Sequence, residues 1–231
     1  MHWQRFWFFR LSALVAMLVL ASSLARANPM LLVDMQSDEV LFAQDAGLPW
    51  HPASLTKLTT ALLVFKAIDA GRISLDTKVI ISRRAAKMPP SRSGLPVDTA
   101  LTMGDALNLL IVKSANDIAI AVAETVSGSV ENFVAQMNLL AKKMGMSATH
   151  FVNPHGLDNP AQVTSARDLA IVALAIVRHY PQYAPIFATS IVRLDGRNLH
   201  TYNELLTRFA GTTGMKTGFV CSAGMNLVAT V

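Results

Sequence analysis

The sequence is poor in cysteine, in charged residues and in long apolar runs. It has one cysteine among 231 residues, so an internal disulfide is excluded, and only 15% of the residues are charged. Beyond the first 27 residues no uninterrupted apolar run is long enough to span a bilayer. The histidines show no ligand spacing with clustered acids, so neither a metal nor a cofactor is expected. Cys221 is predicted to be a buried, small apolar residue.

Acidic residues are absent from the first 27 positions. Met1–Ala27 holds three arginines and no acid, so removing it lowers the net charge from +5 to +2, which is not the footprint of a nucleic-acid-binding protein. The basic start, the apolar run 11–20 and the small residues Ala25 and Ala27 predict a secretory signal peptide cut before Asn28. The alternative is an uncleaved membrane anchor. Residues 28–231 are long enough for one substantial core.

Apolar periodicity and turn residues predict strands near both ends of the chain and helices between them. Helices are expected at 54–70, 105–112, 118–126, 132–144 and 165–177, and strands at 30–35, 40–42, 77–81, 191–194, 198–202, 214–220 and 224–231. Asp195-Gly196 is expected to form a hairpin turn, and Ser165 with Asp168 a capping pair at the start of the last helix. The stretch 82–99 carries three prolines and is predicted to be a loop without packed elements. This order predicts an α/β (α+β) fold, with a mostly antiparallel sheet flanked by helices and a helical subdomain.

A hydroxyl and an amine lie three residues apart at the start of the first predicted helix. Pro52 suits a first helical turn, and positions i and i+3 share a helix face, so Ser54 Oγ and Lys57 Nζ can meet. A deprotonated lysine could take the serine proton, provided that burial or a neighbouring cation lowers its pKa. The alternative is an ordinary helix with a surface lysine.

Two further motifs carry polar groups with catalytic potential. Ser114 and Asn116 offer a hydroxyl that can relay a proton and an amide that can donate and accept, although both types also suit a helix N-cap. Lys216, Thr217 and Gly218 offer a cation, a hydroxyl and close access to the backbone of a predicted strand. The alternative for this second motif is a polar strand edge.

Taken together, these motifs resemble those of the penicillin-recognising serine hydrolases. The chain is similar to the D-alanyl-D-alanine carboxypeptidases, the low-molecular-mass penicillin-binding proteins, over nearly all of residues 28–231. The segments that carry the resemblance are Pro52-Ala53-Ser54-Leu55-Thr56-Lys57, Ser114-Ala115-Asn116-Asp117, Asn153-Pro154-His155-Gly156-Leu157, Ser165-Ala166-Arg167-Asp168, Asn203-Glu204-Leu205-Leu206 and Gly214-Met215-Lys216-Thr217-Gly218.

The resemblance implies a β-lactamase/transpeptidase-like fold and a set of residue roles. Ser54 would be the acylated nucleophile and Lys57 its base. Ser114 would link the lysines and pass a proton to the leaving amine, and Asn116 would hold a substrate amide. Lys216 and Thr217 would bind the terminal carboxylate of the substrate. The backbone N–H groups of Ser54 and of Phe219, which follows Gly218, would form the oxyanion hole.

The implied substrates are the stem peptides of peptidoglycan, with β-lactams as inhibitors, in the periplasm or at the outer face of the cytoplasmic membrane. A β-lactamase is the alternative within the superfamily, but the chain has no Glu-x-x-Leu-Asn and carries Ser-Ala-Asn rather than Ser-Asp-Asn. An endopeptidase on cross-linked peptides is a variant of the first reading. A third reading is an inactive, truncated wall- or β-lactam-binding protein.

Two departures from the family pattern carry expectations. The first hairpin turns at Ser37-Asp38 rather than Thr-Gly, and Asp tolerates the left-handed region. The chain ends at Val231, directly after a predicted strand, whereas family members continue with another strand, a helix and often a membrane-associating tail. A C-terminally incomplete domain with an open sheet edge is therefore expected, with membrane association through the absent region.

Overall fold

A computed structural model describes residues 28–231, and the predicted signal peptide lies outside them. Strands at both ends of this part of the chain enclose a run of helices. The elements are, in chain order, β1 (Met30–Val33), β2 (Val40–Gln44), a 3-10 turn (Ala53–Leu55), α1 (Thr56–Asp69), β3 (Lys78–Ile80), α2 (Arg83–Ala86), β4 (Ala100–Thr102), α3 (Met103–Ile111), α4 (Asn116–Ser127), α5 (Val130–Lys143), α6 (Ala166–His179), a second 3-10 turn (Pro181–Tyr183), α7 (Ala184–Ala188), β5 (Ile191–Leu194), β6 (Arg197–His200), α8 (Leu205–Arg208), β7 (Gly214–Val220) and β8 (Gly224–Thr230).

All strand ladders among the described residues are antiparallel pairs. β1 pairs with β2, β3 with β4, β5 with β6, and β7 with β8. Two turns confirm the residue-level expectations: Asp38 has φ 63°, and Asp195 and Gly196 have φ 48° and 73°, as a tight hairpin between β5 and β6 requires. The predicted α/β class with antiparallel pairing is thus confirmed, and the pairing is organised as four two-stranded ladders.

Helix α1 is the centre of the core. It has no Gly or Pro, every residue from Thr56 to Phe65 is buried, and the chain turns away at Gly71 with φ 65°. It packs against α3, α4, α5 and α6. A helix that is enclosed on all sides is held in position by its neighbours, so α1 is a rigid support for any group at its N-terminus.

An aromatic cluster closes the far end of α1. The Phe65 ring stacks on Tyr183 with centroids 4.1 Å apart and also contacts the rings of Tyr180 and Phe187. Tyr180 follows α6, and Tyr183 and Phe187 lie in the short helical turns after it. The cluster therefore joins the central helix to the segment that leads into the last strands.

Helix ends follow signals that are visible in the sequence. Ser165 accepts a hydrogen bond from Asp168 N at the start of α6, as the predicted capping pair requires. Ser129 caps α5 in the same way, and Gly128 ends α4 in the left-handed region. Local capping thus explains why the helix boundaries were predictable to within a few residues.

Two predictions about the fold are wrong. The stretch 82–99 contains α2, which Ser82 caps by accepting from Ala85 N, and it buries Ala85 and Leu95 in the core. The three prolines of this stretch led to the prediction of a loop, although the residues around them include a short helix and buried apolar side chains. Cys221 is exposed rather than buried, because it lies in the turn between β7 and β8.

No single helix among residues 28–231 is long and apolar enough to cross a bilayer. The pair α4–α5 passes that test of length and composition only when its two helices are taken together, and the pair is bent by 84°.

Truncation of Phe65 tests the role of the aromatic cluster. We expect Phe65→Ala to lower the free energy of unfolding by about 3–5 kcal/mol, because it leaves a cavity against three aromatic rings. Leu139→Ala, on the exposed face of α5, should change it by less than about 0.5 kcal/mol. Urea unfolding followed by circular dichroism measures both values. Equal losses in the two variants would show that the cluster does not stabilise the fold.

Candidate active site

Ser54 and Lys57 meet where the 3-10 turn runs into α1. Lys57 Nζ lies 2.9 Å from Ser54 Oγ, so the predicted i, i+3 contact is confirmed as a hydrogen bond. Lys57 is completely buried, whereas Ser54 is partly exposed. A partly exposed serine is therefore hydrogen-bonded to an amine that is shielded from solvent.

Three oxygens surround the Lys57 amine. Besides Ser54 Oγ, Nζ donates to Asn116 Oδ1 at 2.8 Å and to the His155 carbonyl oxygen at 2.7 Å. Burial, and secondarily the charge of Lys216, lower the pKa of Lys57 well below its usual value, while Asp117 opposes the shift. A neutral amine in hydrogen-bond contact with a serine hydroxyl can accept its proton.

The backbone of the turn beneath Ser54 is strained. Ala53 has φ 48°, which is uncommon for a residue with a side chain. Its carbonyl oxygen accepts a hydrogen bond from Thr56 Oγ1 at 2.8 Å. Gly156 packs so closely on this carbonyl that a methyl group at Gly156 would lie 1.8 Å from the oxygen. These contacts hold a conformation that the local sequence alone would not favour.

Strand β7 borders the serine on another side. A methyl group at Gly218 would lie 2.8 Å from Ser54 N and 3.0 Å from Ala53 Cβ, so only glycine fits there. Lys216 is buried, its Nζ donates to Thr217 O at 2.9 Å, and burial lowers its pKa to about 7. Phe219 is 64% exposed at the strand end. The Lys216-Thr217-Gly218 motif therefore lies beside Ser54, as predicted.

The second motif contributes its amide directly. Asn116 is the first residue of α4; its Oδ1 receives Lys57 Nζ, and its Nδ2 donates to Pro89 O at 3.0 Å. Ser114 is buried and has φ 60°. Within residues 28–231 the hydrogen bonds of Lys57 Nζ go to other oxygens, so the proton-passing role of Ser114 stays a prediction.

Asp117 anchors the loop between α2 and β4, a role that sequence reasoning missed. Its carboxylate accepts from Ser93 N at 2.9 and 3.0 Å and from Ser93 Oγ at 2.6 Å, and it is 1% exposed. Asn116 N also donates to Ser91 O at 2.7 Å. The loop is thereby fixed beside Lys57 by two consecutive residues of one motif. The signal in the sequence that could have indicated this role is the position of Asp117 directly after Asn116, within the same motif.

The segment 153–157 supplies the third hydrogen-bond acceptor for the Lys57 amine. Thr60 Oγ1 donates to Pro154 O at 2.7 Å, which fixes the segment to α1 and presents the His155 carbonyl to the amine. Burial first, and the charge of Lys57 second, lower the pKa of His155 to about 3, so its imidazole is neutral near neutral pH. The sequence marked this segment as a family motif but gave its residues no role, because the contribution comes from a backbone atom.

A sizeable cavity lies away from the serine. It measures about 540 Å³ and lies between β1, β8 and α6, with Leu55 and Pro52 at one end. Its lining is mainly apolar and includes neither Ser54 nor Lys57, so we place the chemistry at the hydrogen-bonded pair. Among residues 28–231 no group of three or more His, Cys, Asp or Glu is placed to hold a metal ion.

A sequence model described as D-alanyl-D-alanine carboxypeptidase matches residues 19–231. The carboxypeptidase DacA of Haemophilus influenzae is 36% identical over 207 residues, which cover 88% of this chain and 53% of that protein. The chain therefore spans about half the length of the curated relatives it matches.

Solved structures give the same picture. Penicillin binding protein 5 from Haemophilus influenzae superposes with a TM-score of 0.84 at 36% identity, over 88% of this chain and 60% of that one. Penicillin-binding protein D2 from Listeria monocytogenes, solved with cefotaxime bound, gives a TM-score of 0.76 at 31% identity, over 86% of this chain and 81% of that one.

The buried His155 predicts a specific pH dependence of stability. Its pKa is about 3 when folded and near 6.5 when unfolded, so the unfolded chain binds the extra proton and stability falls as pH drops from 6.5 towards 3. Between pH 6 and 4.5 this group should cost about 2 kcal/mol. Urea unfolding across this range measures the slope. His155→Asn, whose amide oxygen can still accept from Leu157 N, should make the slope shallower.

His200→Asn is the matched control, because His200 is exposed on β6. It should leave the pH slope unchanged. If His155→Asn and the original protein lose stability in parallel between pH 6 and 4.5, the imidazole of His155 titrates normally and the assignment is wrong.

Proposed function

Because the chain belongs to the D-alanyl-D-alanine carboxypeptidase family, we propose that it removes the terminal D-alanine from peptidoglycan stem peptides through an acyl-enzyme at Ser54. The observation that carries the proposal is the contact of Ser54 Oγ with a completely buried amine whose pKa is depressed. This contact makes the serine a nucleophile without a histidine or a metal.

The contact between Ser54 and Lys57 supports an acylation step. Ser54 Oγ attacks the carbonyl carbon of the D-alanyl-D-alanine bond and gives its proton to the neutral Lys57 amine. The N–H groups of Ser54 and Phe219 would hold the oxyanion, since β7 lies against the Ser54 amide at Gly218. The C–N bond then breaks, and the proton reaches the leaving nitrogen through Ser114. Water attacks the ester, releases the shortened peptide and restores Ser54.

Substrate binding would use the third motif. The terminal carboxylate of the peptide would face Lys216 and the Thr217 hydroxyl. Lys216 has a pKa of about 7 because it is buried, and a bound carboxylate favours its charged form. With the charge of Lys216 neutralised by substrate and Lys57 neutral, one lysine binds the anion and the other accepts the proton. Asn116 would hold a substrate amide while it positions Lys57.

β-Lactams would enter the same site as substrate mimics, as cefotaxime binding by the Listeria relative supports. A β-lactamase is the second candidate, because Ser54 and Lys57 would serve that reaction equally well. The chain has no Glu-x-x-Leu-Asn segment to activate a deacylating water, so we favour a slowly hydrolysed adduct. The predicted signal peptide supports a reaction in the periplasm or at the outer face of the cytoplasmic membrane.

Trapping of the acyl-enzyme tests the proposal. Intact-mass spectrometry after incubation with penicillin should show a long-lived adduct, and Ser54→Ala should show none. A pentapeptide ending in D-Ala-D-Ala should release D-alanine, at least about a thousandfold faster with the original chain than with Ser54→Ala.

Other outcomes identify the alternatives. A transient adduct that accumulates hydrolysed penicillin would make the protein a β-lactamase. Absence of both adduct and D-alanine release, in a chain that unfolds cooperatively, would make it a non-catalytic binding protein. Separation of cross-linked peptides into single stems, without release of D-alanine from the pentapeptide, would make it an endopeptidase.

Gly218→Ala tests the approach of β7 to the serine. The new methyl group would lie 2.8 Å from Ser54 N, so the strand or the turn must move. We expect the rate of penicillin acylation to fall by about a hundredfold, because small displacements of reacting groups are costly. Gly47→Ala, where a methyl group meets no atom within 4 Å, is the control and should acylate normally. Normal acylation of Gly218→Ala would contradict the proposed oxyanion geometry.

A further inference from the structure

Gln162 is a buried amide that none of the predicted roles uses. It is 2% exposed and lies in an extended segment that bridges to both sides, with Val163 opposite His150 and Thr164 opposite Trp50. Its own carbonyl oxygen lies 2.9 Å from His51 Nδ1. The backbone that carries this side chain is therefore fixed on two flanks.

The amide group of Gln162 can take only one orientation. Oε1 accepts from Val152 N at 2.7 Å and from Asn153 N at 3.0 Å, so the oxygen must face these two donors. Nε2 then faces acceptors: Thr56 Oγ1 and Asn153 Oδ1, each at 3.1 Å. One side chain thus connects the segment around Asn153 to the helix start that carries Ser54.

A relay runs from this amide to the peptide bond before the serine. Gln162 Nε2 donates to Thr56 Oγ1, and Thr56 Oγ1 donates to the Ala53 carbonyl oxygen at 2.8 Å. The Ala53 carbonyl and the Ser54 N–H belong to one planar trans peptide and point in opposite directions. A fixed direction for the carbonyl therefore fixes the direction of the Ser54 N–H.

The Gln162 amide also supports the segment whose carbonyl accepts a hydrogen bond from Lys57. Asn153 Oδ1 accepts hydrogen bonds from Gln162 Nε2 and, at 2.6 Å, from Gly156 N. Gly156 is the residue that packs on the Ala53 carbonyl, and the preceding carbonyl, that of His155, receives Lys57 Nζ at 2.7 Å. Two paths from Gln162 thus end at the base and at the peptide bond before the nucleophile.

We propose that Gln162 is a positioning residue for acylation, and that it acts through Thr56 to aim the Ser54 N–H at the oxyanion and through Asn153 to hold the carbonyl that orients Lys57. This inference rests on the proposed function of Ser54. Gln162 touches neither the nucleophile nor the base, so its contribution lies in geometry and not in binding.

Asn138 offers a matched control for a merely structural role. It is also an amide within the fold, and it pins the backbone of Phe151 twice, by accepting from Phe151 N and donating to Phe151 O, each at 2.8 Å. It differs from Gln162 in having no hydrogen bond to the turn before α1. Loss of the Asn138 amide removes two hydrogen bonds to the backbone and loss of the Gln162 amide removes three, but only loss of Gln162 breaks the relay.

The test compares Gln162→Met, Thr56→Val, the double variant and Asn138→Leu. The time course of the penicillin adduct at several drug concentrations separates the limiting acylation rate from the apparent affinity, at a temperature where every variant is folded. Gln162→Met and Thr56→Val should each lower the limiting rate about tenfold to a hundredfold with affinity changed less than about twofold. The double variant should be no slower than the worse single variant, within about threefold, because both changes break one relay.

Asn138→Leu should lower the thermal midpoint about as much as Gln162→Met but should leave the acylation rate within about threefold. An unchanged limiting rate in Gln162→Met would overturn the inference, as would losses that multiply in the double variant or an equal loss in Asn138→Leu. If Gln162→Met does not fold, Thr56→Val at the other end of the relay decides the outcome by the same criteria.

Hydrogen–deuterium exchange keeps this test separate from the proposed function. Peptides covering 53–57 should exchange faster in Gln162→Met than in Asn138→Leu, whether or not penicillin reacts. Failure of the unaltered chain to form an adduct would refute the proposed function, whereas equal exchange in these two variants would refute the positioning role of Gln162.

Discussion

The burial of the Lys57 amine is the constraint on which the rest of the site depends. A charged ammonium without solvent is costly, and burial together with the nearby Lys216 favours the neutral form. The amine nevertheless needs partners, and three oxygens from three separate parts of the chain supply them. The segments that carry Ser54, Asn116 and His155 must therefore converge on one nitrogen, and this requirement fixes their relative positions.

This convergence explains why several buried side chains around the site hydrogen-bond to the backbone of neighbouring segments and hold them in place. Asp117 holds the loop after α2 through Ser93, and Thr60 holds the 153–157 segment through Pro154. Glycines at 156 and 218 allow backbone to approach the turn before α1 more closely than any side chain would permit. The site is thus supported largely by buried polar side chains that hydrogen-bond to the backbone of neighbouring segments.

The contact within one helical turn was visible in the sequence, and the long-range contacts that support it were not. The i, i+3 spacing of Ser54 and Lys57 is a local property of a helix, so the contact could be predicted. The carbonyl of His155 has no signature of this kind, because every residue has a carbonyl. The exposed position of Cys221 and the short helix at 83–86 were mispredicted, since composition alone describes neither a turn between strands nor a loop that packs against a core.

The sequence by itself determined the order of the principal strands and helices, the family, and the side chains that meet within one turn of a helix. Periodicity, caps and turn residues act over a few positions, and these signals are written locally. Only the tertiary structure decided which distant segments contact Lys57, how deeply it is buried, and that Gln162 connects them to the Ser54 peptide. Such contacts join residues from 59 to 106 positions apart, and their geometry depends on the packing of the whole core around α1.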